Sequence, residues 1–240
     1  MEIKIFKTAE EASYQALELF KEVKEKGGRV FGLATGSTPE FLYHLLAASD
    51  LDFSQDIAIN LDEYLGLAPQ DPQSYAYFMQ DHLFNKKPFG ATYIPNGLAE
   101  DIQAEAERYE AIIDAHPIDL QLLGIGSNGH IGFNEPGTPF DRTTHAVQLT
   151  SQTIADNGRF FSSQEAVPQE ALSMGIASIL KAKQILLMAF GAKKAAAIKG
   201  LIEGPMSEDL PVTCLQSHPH VTVLLDVEAA QELSLIHISD

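Results

Sequence analysis

Short, continuous apolar runs alternate along this chain with segments of helical spacing, and that alternation restricts the fold more than any other feature. The runs "RVFGLA" (29–34), "DIAINL" (56–61), "IDLQLLG" (118–124), "QILLMAF" (184–190) and "VTVLLD" (221–226) are each bounded by turn residues. They lack the in–out alternation of half-exposed strands, as expected of parallel strands covered on both faces. Between them, segments 39–49, 99–116, 170–182 and 192–204 carry apolar residues at helical spacing. Near the N-terminus, Thr8 and Glu11 are spaced as a capping box. Ala12, Ala16, Leu19, Phe20 and Val23 then line one face of a helix that stops at Gly27-Gly28. The expected fold is an open, doubly wound, mostly parallel α/β sheet flanked by helices, a Rossmann-like three-layer arrangement.

No repeat, low-complexity tract or linker divides the 240 residues, so a single α/β catalytic domain is expected over residues 1–232. The remainder, 233–240 ("LSLIHISD"), is an apolar tail without the periodicity of the helix expected for "VEAAQEL" before it. It reads equally as an expression remnant or as a final strand or interface segment.

Function classes are narrowed by charge and cysteine content. Lys and Arg number 16 against 33 Asp and Glu, a formal charge of −17 that opposes a nucleic-acid or anionic-membrane partner held by bulk electrostatics. An anionic ligand must therefore meet local positive groups. The single cysteine, Cys214, excludes a disulfide framework and a cysteine-based zinc site, and none of the eight histidines sits in a metal-binding spacing. The start "MEIKIFKTAEEAS" has no long apolar core and no run approaches a membrane span, so a soluble, cytoplasmic protein without metal is expected.

In an open α/β sheet, ligands bind outside the carboxyl ends of the strands. That rule gathers the loops after Ala34, Leu61, Gly124 and Phe190 around one crevice. Thr35, Gly36, Ser37 and Thr38 lie between a strand and a helix with Pro39 in its first turn, the composition of an anion-binding helix start. An ordinary capped helix is the competing explanation. Asp62 and Glu63 follow the second run, where successive side chains point to opposite faces. One of them is expected to face the crevice as a general base, against the alternative of a helix cap or loop ion pair.

Gly124, Gly126 and Gly129 in "GIGSNGHIGFNEPG" have the G-x-G-x-x-G spacing of a dinucleotide fingerprint. That motif must open a helix. Gly132, Pro136 and Pro139 oppose one, so no nucleotide cofactor is expected. The glycines are instead expected to clear space at the strand end for a ligand, while Asn128, His130 and Glu135 converge from one loop. Histidine moves protons near neutral pH, and an amide or carboxylate on its other nitrogen fixes the tautomer. Arg159 in "NGRFF" and Lys194 in "FGAKKAA" are the cations expected to meet a phosphate.

Together "LATGSTP", "NLDEYLGL", "GIGSNGHIGFNEP", "NGRFF", "GAKKAAAI" and "VTCLQSHP" resemble, in order over roughly residues 1–230, the glucosamine-6-phosphate deaminases. The resemblance implies aldose–ketose isomerisation coupled to deamination, without metal or redox cofactor. It implies ring opening by His130 with Asn128 and Glu135, removal of the C2 proton by Asp62, and phosphate on Thr35 to Thr38, Arg159 and Lys194. The resemblance has two departures. Many longer members carry Asp where this chain has Asn128, so Glu135 is expected to supply the negative partner of His130. Longer hexameric members bind an acetylated sugar phosphate through basic residues that align with Thr144 and Ala146 here, and the chain ends earlier than theirs. Hyperbolic kinetics and a monomer or small homo-oligomer are therefore expected.

Two rival functions fit the same crevice. A 6-phosphogluconolactonase also has a GxGxDGH-type loop, but one that continues toward Ser-Leu-Phe-Pro rather than the Phe133-Asn134-Glu135-Pro136 found here. A non-catalytic sugar-phosphate sensor would carry a DNA-binding module, for which there is no basic segment. The aromatic-rich stretch 69–87 is a candidate lid over the substrate.

Overall fold

The computed structural model describes residues 1–158, 161, 163 and 166–234. In chain order the elements are β1 (Glu2–Phe6), α1 (Ala9–Glu25), β2 (Val30–Leu33), α2 (Glu40–Ala48), β3 (Ile57–Asn60), β4 (Asp62–Tyr64), α3 (Tyr75–Met79) and β5 (Ala91–Tyr93). There follow α4 (Ile102–Ala115), β6 (Leu120–Leu123), β7 (His145–Gln148), α5 (Ser151–Asn157), β8 (Glu170–Ser173), α6 (Ile176–Leu180), β9 (Ile185–Ala189), α7 (Ala195–Glu203) and β10 (Val221–Asp226).

A seven-stranded sheet in the order β1-β10-β9-β6-β2-β3-β5 forms the centre, and every neighbouring pair in it is parallel. All five expected runs are strands of this sheet. Every residue of β6 and β9 is buried, which is why those runs show no alternation. Helix α1 is capped as its sequence predicts: Thr8 Oγ1 accepts from Glu11 N at 3.2 Å, while the Glu11 carboxylate reaches back to Lys7 N at 3.0 Å. Its buried face, including Ala12, Ala16, Phe20 and Val23, joins a core in which Phe20 stacks on Phe31, Phe31 meets Phe53 edge-on and Phe53 stacks on Phe89.

From β2 the chain proceeds through β3 to the β5 edge, whereas β6 lies on the other side of β2. The strand order therefore reverses between β2 and β6, and a crevice opens above their carboxyl ends. A Cβ added to Gly124 would lie 3.9 Å from Thr38, so the loops leaving β2 and β6 meet at this point.

A second, antiparallel sheet, β4-β8-β7, was not expected. Its strand β8 occupies residues 170–173, the start of a segment whose spacing reads as helical. The helix is confined to α6, because pairing Glu63 with Leu172 and Ala146 with Leu172 makes the first four residues the middle strand of the sheet. Residues 227–232 are turns rather than the expected helix. The Asp226 carboxylate accepts from Gly191 N and Ala229 N and bends the chain there. Of the tail, Leu233 packs on the core and Ser234 binds Glu203; residues 235–240 lie outside the described residues.

Candidate active site

Two residues beyond β3 the chain has crossed from the large sheet to the small one. Leu61 N donates to Leu33 O at 3.0 Å, Met174 N donates to Leu61 O at 2.7 Å, and Asp62 pairs with Ser173. Asp62 is thereby buried over the crevice floor, and no hydrogen bond reaches its carboxyl group among the described residues. Burial, with a smaller push from the Glu63 charge, raises its pKa to about 8. A carboxyl group raised this far by burial in a cleft is a typical proton-transfer group.

Glu63 points the other way. Its Oε1 accepts from Tyr64 N at 2.8 Å and Tyr75 N at 3.0 Å, and its Oε2 accepts from Ala76 N at 2.8 Å. Of the two explanations open for this pair of acids, Asp62 fits the general base and Glu63 fits the helix cap. The cap pins α3, and with it the suspected lid, since Ser74 also caps Tyr77 N and Met79, Leu83 and Phe84 are buried. Tyr75 is consequently held across the crevice. Its hydroxyl lies 3.3 Å from that of Tyr64, its side chain hydrogen-bonds Thr35, and its ring stacks on Phe133. Sequence reasoning held a helix cap open for one of the two acids but missed Tyr75, although "SYAYF" after the acids offered a capping serine as a signal.

The loop after β6 contains no helix from Gly124 to Phe140, which excludes the fingerprint geometry for its glycines. A Cβ on Gly126 would come within 2.2 Å of the His130 ring, so glycine is needed there to admit the imidazole. Gly132 has φ +55, and its added Cβ would lie 3.0 Å from Ser173 Oγ and 3.5 Å from Asp62 Oδ2. At these two positions the glycines clear space for the His130 ring and for the Ser173 and Asp62 side chains rather than directly for a ligand. The loop is anchored under Asp62: Phe133 N donates to Ser173 Oγ at 3.1 Å, and Asn134 Nδ2 donates to Met174 O at 2.8 Å.

His130 Nδ1 faces Asn128 Oδ1 at 2.8 Å, and His130 N donates to the same oxygen at 3.2 Å. Asn128 Nδ2 in turn donates to Glu135 Oε2 at 2.8 Å, which also lies 3.6 Å from His130 Nδ1. An amide oxygen only accepts, so the proton on the ring belongs on Nδ1, leaving Nε2 as the basic nitrogen. Burial alone would raise the Glu135 pKa, but hydrogen bonding and charge from His130, with hydrogen bonds from Thr153 and Asn128, hold it at about 2. Glu135 is thus an anion held behind an oriented imidazole.

Thr35 to Thr38 form the turn between β2 and α2, with Gly36 facing open space and Pro39 as the N-cap residue rather than in the first turn. Lys194 is the N-cap of α7, at the carboxyl end of β9. Arg159 lies outside the described residues. Among the described residues no three His, Cys, Asp or Glu side chains are grouped to hold a metal ion, and no helix is long and apolar enough to cross a membrane.

A buried carboxyl group and an oriented imidazole on loops at the switch point of a doubly wound sheet are side chains of the kind an acid–base enzyme of the α/β class uses. The model of the family described as glucosamine-6-phosphate isomerases/6-phosphogluconolactonase matches residues 7–224, and the chain belongs to that family. It is 57% identical to a glucosamine-6-phosphate deaminase of Enterococcus faecalis, across 94% of this chain and 97% of that one. A solved structure described as a monomeric glucosamine-6-phosphate deaminase superposes with a TM-score of 0.94 at 46% identity, covering 96% of this chain and 99% of the other. The 6-phosphogluconolactonase of Trypanosoma cruzi, at TM-score 0.79 and 19% identity over 98% of this chain and 97% of its own, shares the fold.

Proposed function

We infer that this enzyme converts D-glucosamine 6-phosphate and water to D-fructose 6-phosphate and ammonia. The observation that carries the reading is the pairing of two distinct proton-transfer groups in one crevice, a number that ring opening followed by isomerisation requires and that simple binding does not. His130 Nε2 takes the anomeric hydroxyl proton and delivers it to the ring oxygen, opening the hemiacetal. Asp62, ionised once the substrate's ammonium group lies beside it, removes the C2 proton and returns a proton to C1. The resulting C2 iminium adds water and expels ammonia. The phosphate rests on Thr35 to Thr38, Lys194 and Arg159, the turn being the helix start of highest hydroxyl content above the crevice.

Several coarser properties accompany this reading. The continuous core from Ile5 to Ala230 supports one catalytic unit over 1–232. The charge of −17 opposes a nucleic-acid partner held by bulk electrostatics, and the similarity to glucosamine-6-phosphate deaminases supports a cytoplasmic enzyme. The superposition with a protein described as monomeric supports a monomer. At the expected position of an activator's basic contacts, Thr144 is buried and donates through N and Oγ1 to the Glu110 carboxylate, whose charge disfavours an anionic effector.

Ammonia release from glucosamine 6-phosphate tests the function. Turnover with hyperbolic saturation, unchanged by N-acetylglucosamine 6-phosphate, is expected. An inert protein that hydrolyses 6-phosphogluconolactone would overturn the reading.

Asn128 supports a further expectation. We assign the negative partner of His130 to Glu135, at 3.6 Å, with Asn128 as the neutral bridge. In Asn128→Asp a carboxylate contacts Nδ1 directly, and an opposite charge within about 4–6 Å stabilises the imidazolium. Because His130 must be neutral to take the anomeric proton, the acidic limb of the pH–rate profile for ring opening should move up by roughly one unit. An unmoved limb would show that charge at this position is not used.

A further inference from the structure

Glu135 is oriented from its far side by residues that the chemistry above does not use. Thr153, on α5 and 18 positions beyond Glu135, is buried, and its hydroxyl donates to Glu135 Oε1 in a short hydrogen bond. Thr150 Oγ1 lies 3.3 Å from the same oxygen and 3.1 Å from Thr153 Oγ1. Thr150 also caps α5, accepting from Thr153 N at 3.2 Å, so the two hydroxyls have a fixed spacing. The opposite oxygen, Oε2, holds Asn128 Nδ2 at 2.8 Å, and Asn128 Oδ1 holds His130 Nδ1 at 2.8 Å.

We propose that Thr153, supported by Thr150, is a positioning residue for the ring-opening step, fixing the Glu135 carboxylate so that Glu135 fixes Asn128 and Asn128 sets the imidazole. A carboxylate held on only one of its oxygens can rotate about its terminal torsion, which is broad and roughly two-fold. Rotation takes Oε2 away from Asn128, and the amide then no longer constrains His130. Two hydroxyl contacts on Oε1 remove that freedom, and burial strengthens them because water does not compete for the acceptor. Thr153 does not touch the substrate; it acts through three side chains in series. The same contacts tie α5 to the histidine loop. The proposal rests on the deaminase reading of this site.

Thr153→Val preserves shape and removes the hydroxyl. It should lower kcat about tenfold, the cost expected for one hydrogen bond to a charged group, and should change KM by less than about twofold. Thr153→Ser restores the hydroxyl and should return kcat to within about twofold of wild type. In a Glu135→Gln background, where the anion is gone, Thr153→Val should cost less than about twofold further. Should the valine variant fail to fold, Thr153→Ala carries the same kcat, rescue and background expectations.

Retention of wild-type kcat, failure of serine to rescue, or an equal loss in the Glu135→Gln background would each overturn the proposal. The outcomes separate from those for the function itself. An inert wild type overturns the deaminase reading, whereas an active wild type with an unaffected Thr153→Val overturns only the role of Thr153.

Discussion

Asp62→Asn is expected to reduce kcat by about 10³-fold, within the range by which a positioned general base accelerates a proton transfer. The amide is nearly the same size and makes no demand on the small sheet, but it cannot accept a proton from carbon. No neighbouring acid substitutes for it, because Glu63 is committed to three backbone N–H groups on the other side of β4. The wild-type pH dependence follows from the same burial. With Asp62 raised to about 8 in the free enzyme, kcat/KM should climb with pH up to that value. The acidic limb of kcat should lie lower, since the bound ammonium favours the carboxylate.

Stability should move opposite to activity. The folded-state pKa of Asp62 is above its unfolded value, near 3.8, so between the two values the folded protein binds the extra proton. This group's contribution is most favourable below the unfolded pKa and is lost as pH rises to about 8. Asp62→Asn removes that loss. In urea titrations the variant should match wild type near pH 4 and exceed it by a few kcal/mol near pH 8.5, each pH unit of the window being worth about 1.4 kcal/mol at most. Equal stabilities at both pH values would mean that Asp62 is not desolvated as described.

His130→Gln should produce the second largest loss, roughly 10²–10³-fold in kcat, with a signature that separates it from Asp62→Asn. Glutamine fits the space that Gly126 leaves, but it cannot carry a proton between the anomeric hydroxyl and the ring oxygen. The variant then depends on the open-chain aldehyde that forms spontaneously in solution, while Asp62 remains able to isomerise it. Its rate should therefore stop rising with enzyme concentration once spontaneous opening becomes limiting. Addition of Asp62→Asn should remove the residual activity. A His130→Gln rate that stays proportional to enzyme at all concentrations would place the histidine outside the ring-opening step.

The five central strands were legible because burial on both faces leaves an unmistakable apolar run. β1 was not, since "EIKIF" lies at the sheet edge with only its last two residues buried. The small sheet was hidden because β4 is three residues long and "EALS" carries helix-forming residues whose strand state is imposed by pairing with β4 and β7. At the site, Asp62 and the histidine loop could be read from chemistry clustered at strand ends. The division of labour between Asp62 and Glu63 could not, because it depends on where α3 begins in space. Thr153 was invisible for a related reason: a threonine on a short helix acquires meaning only when its hydroxyl is seen to reach Glu135.

Deuterium at C2 of glucosamine 6-phosphate tests the central claim, that Asp62 moves the C2 proton in an isomerisation that ends in deamination. With wild-type enzyme, ammonia and fructose 6-phosphate should appear in equal amounts, with the label divided between C1 of the ketose and the solvent, and Asp62→Asn should slow the release of label and of ammonia together by about 10³-fold. Ammonia formed with the label still on C2 of an aldose phosphate, or at an undiminished rate in Asp62→Asn, would contradict the account.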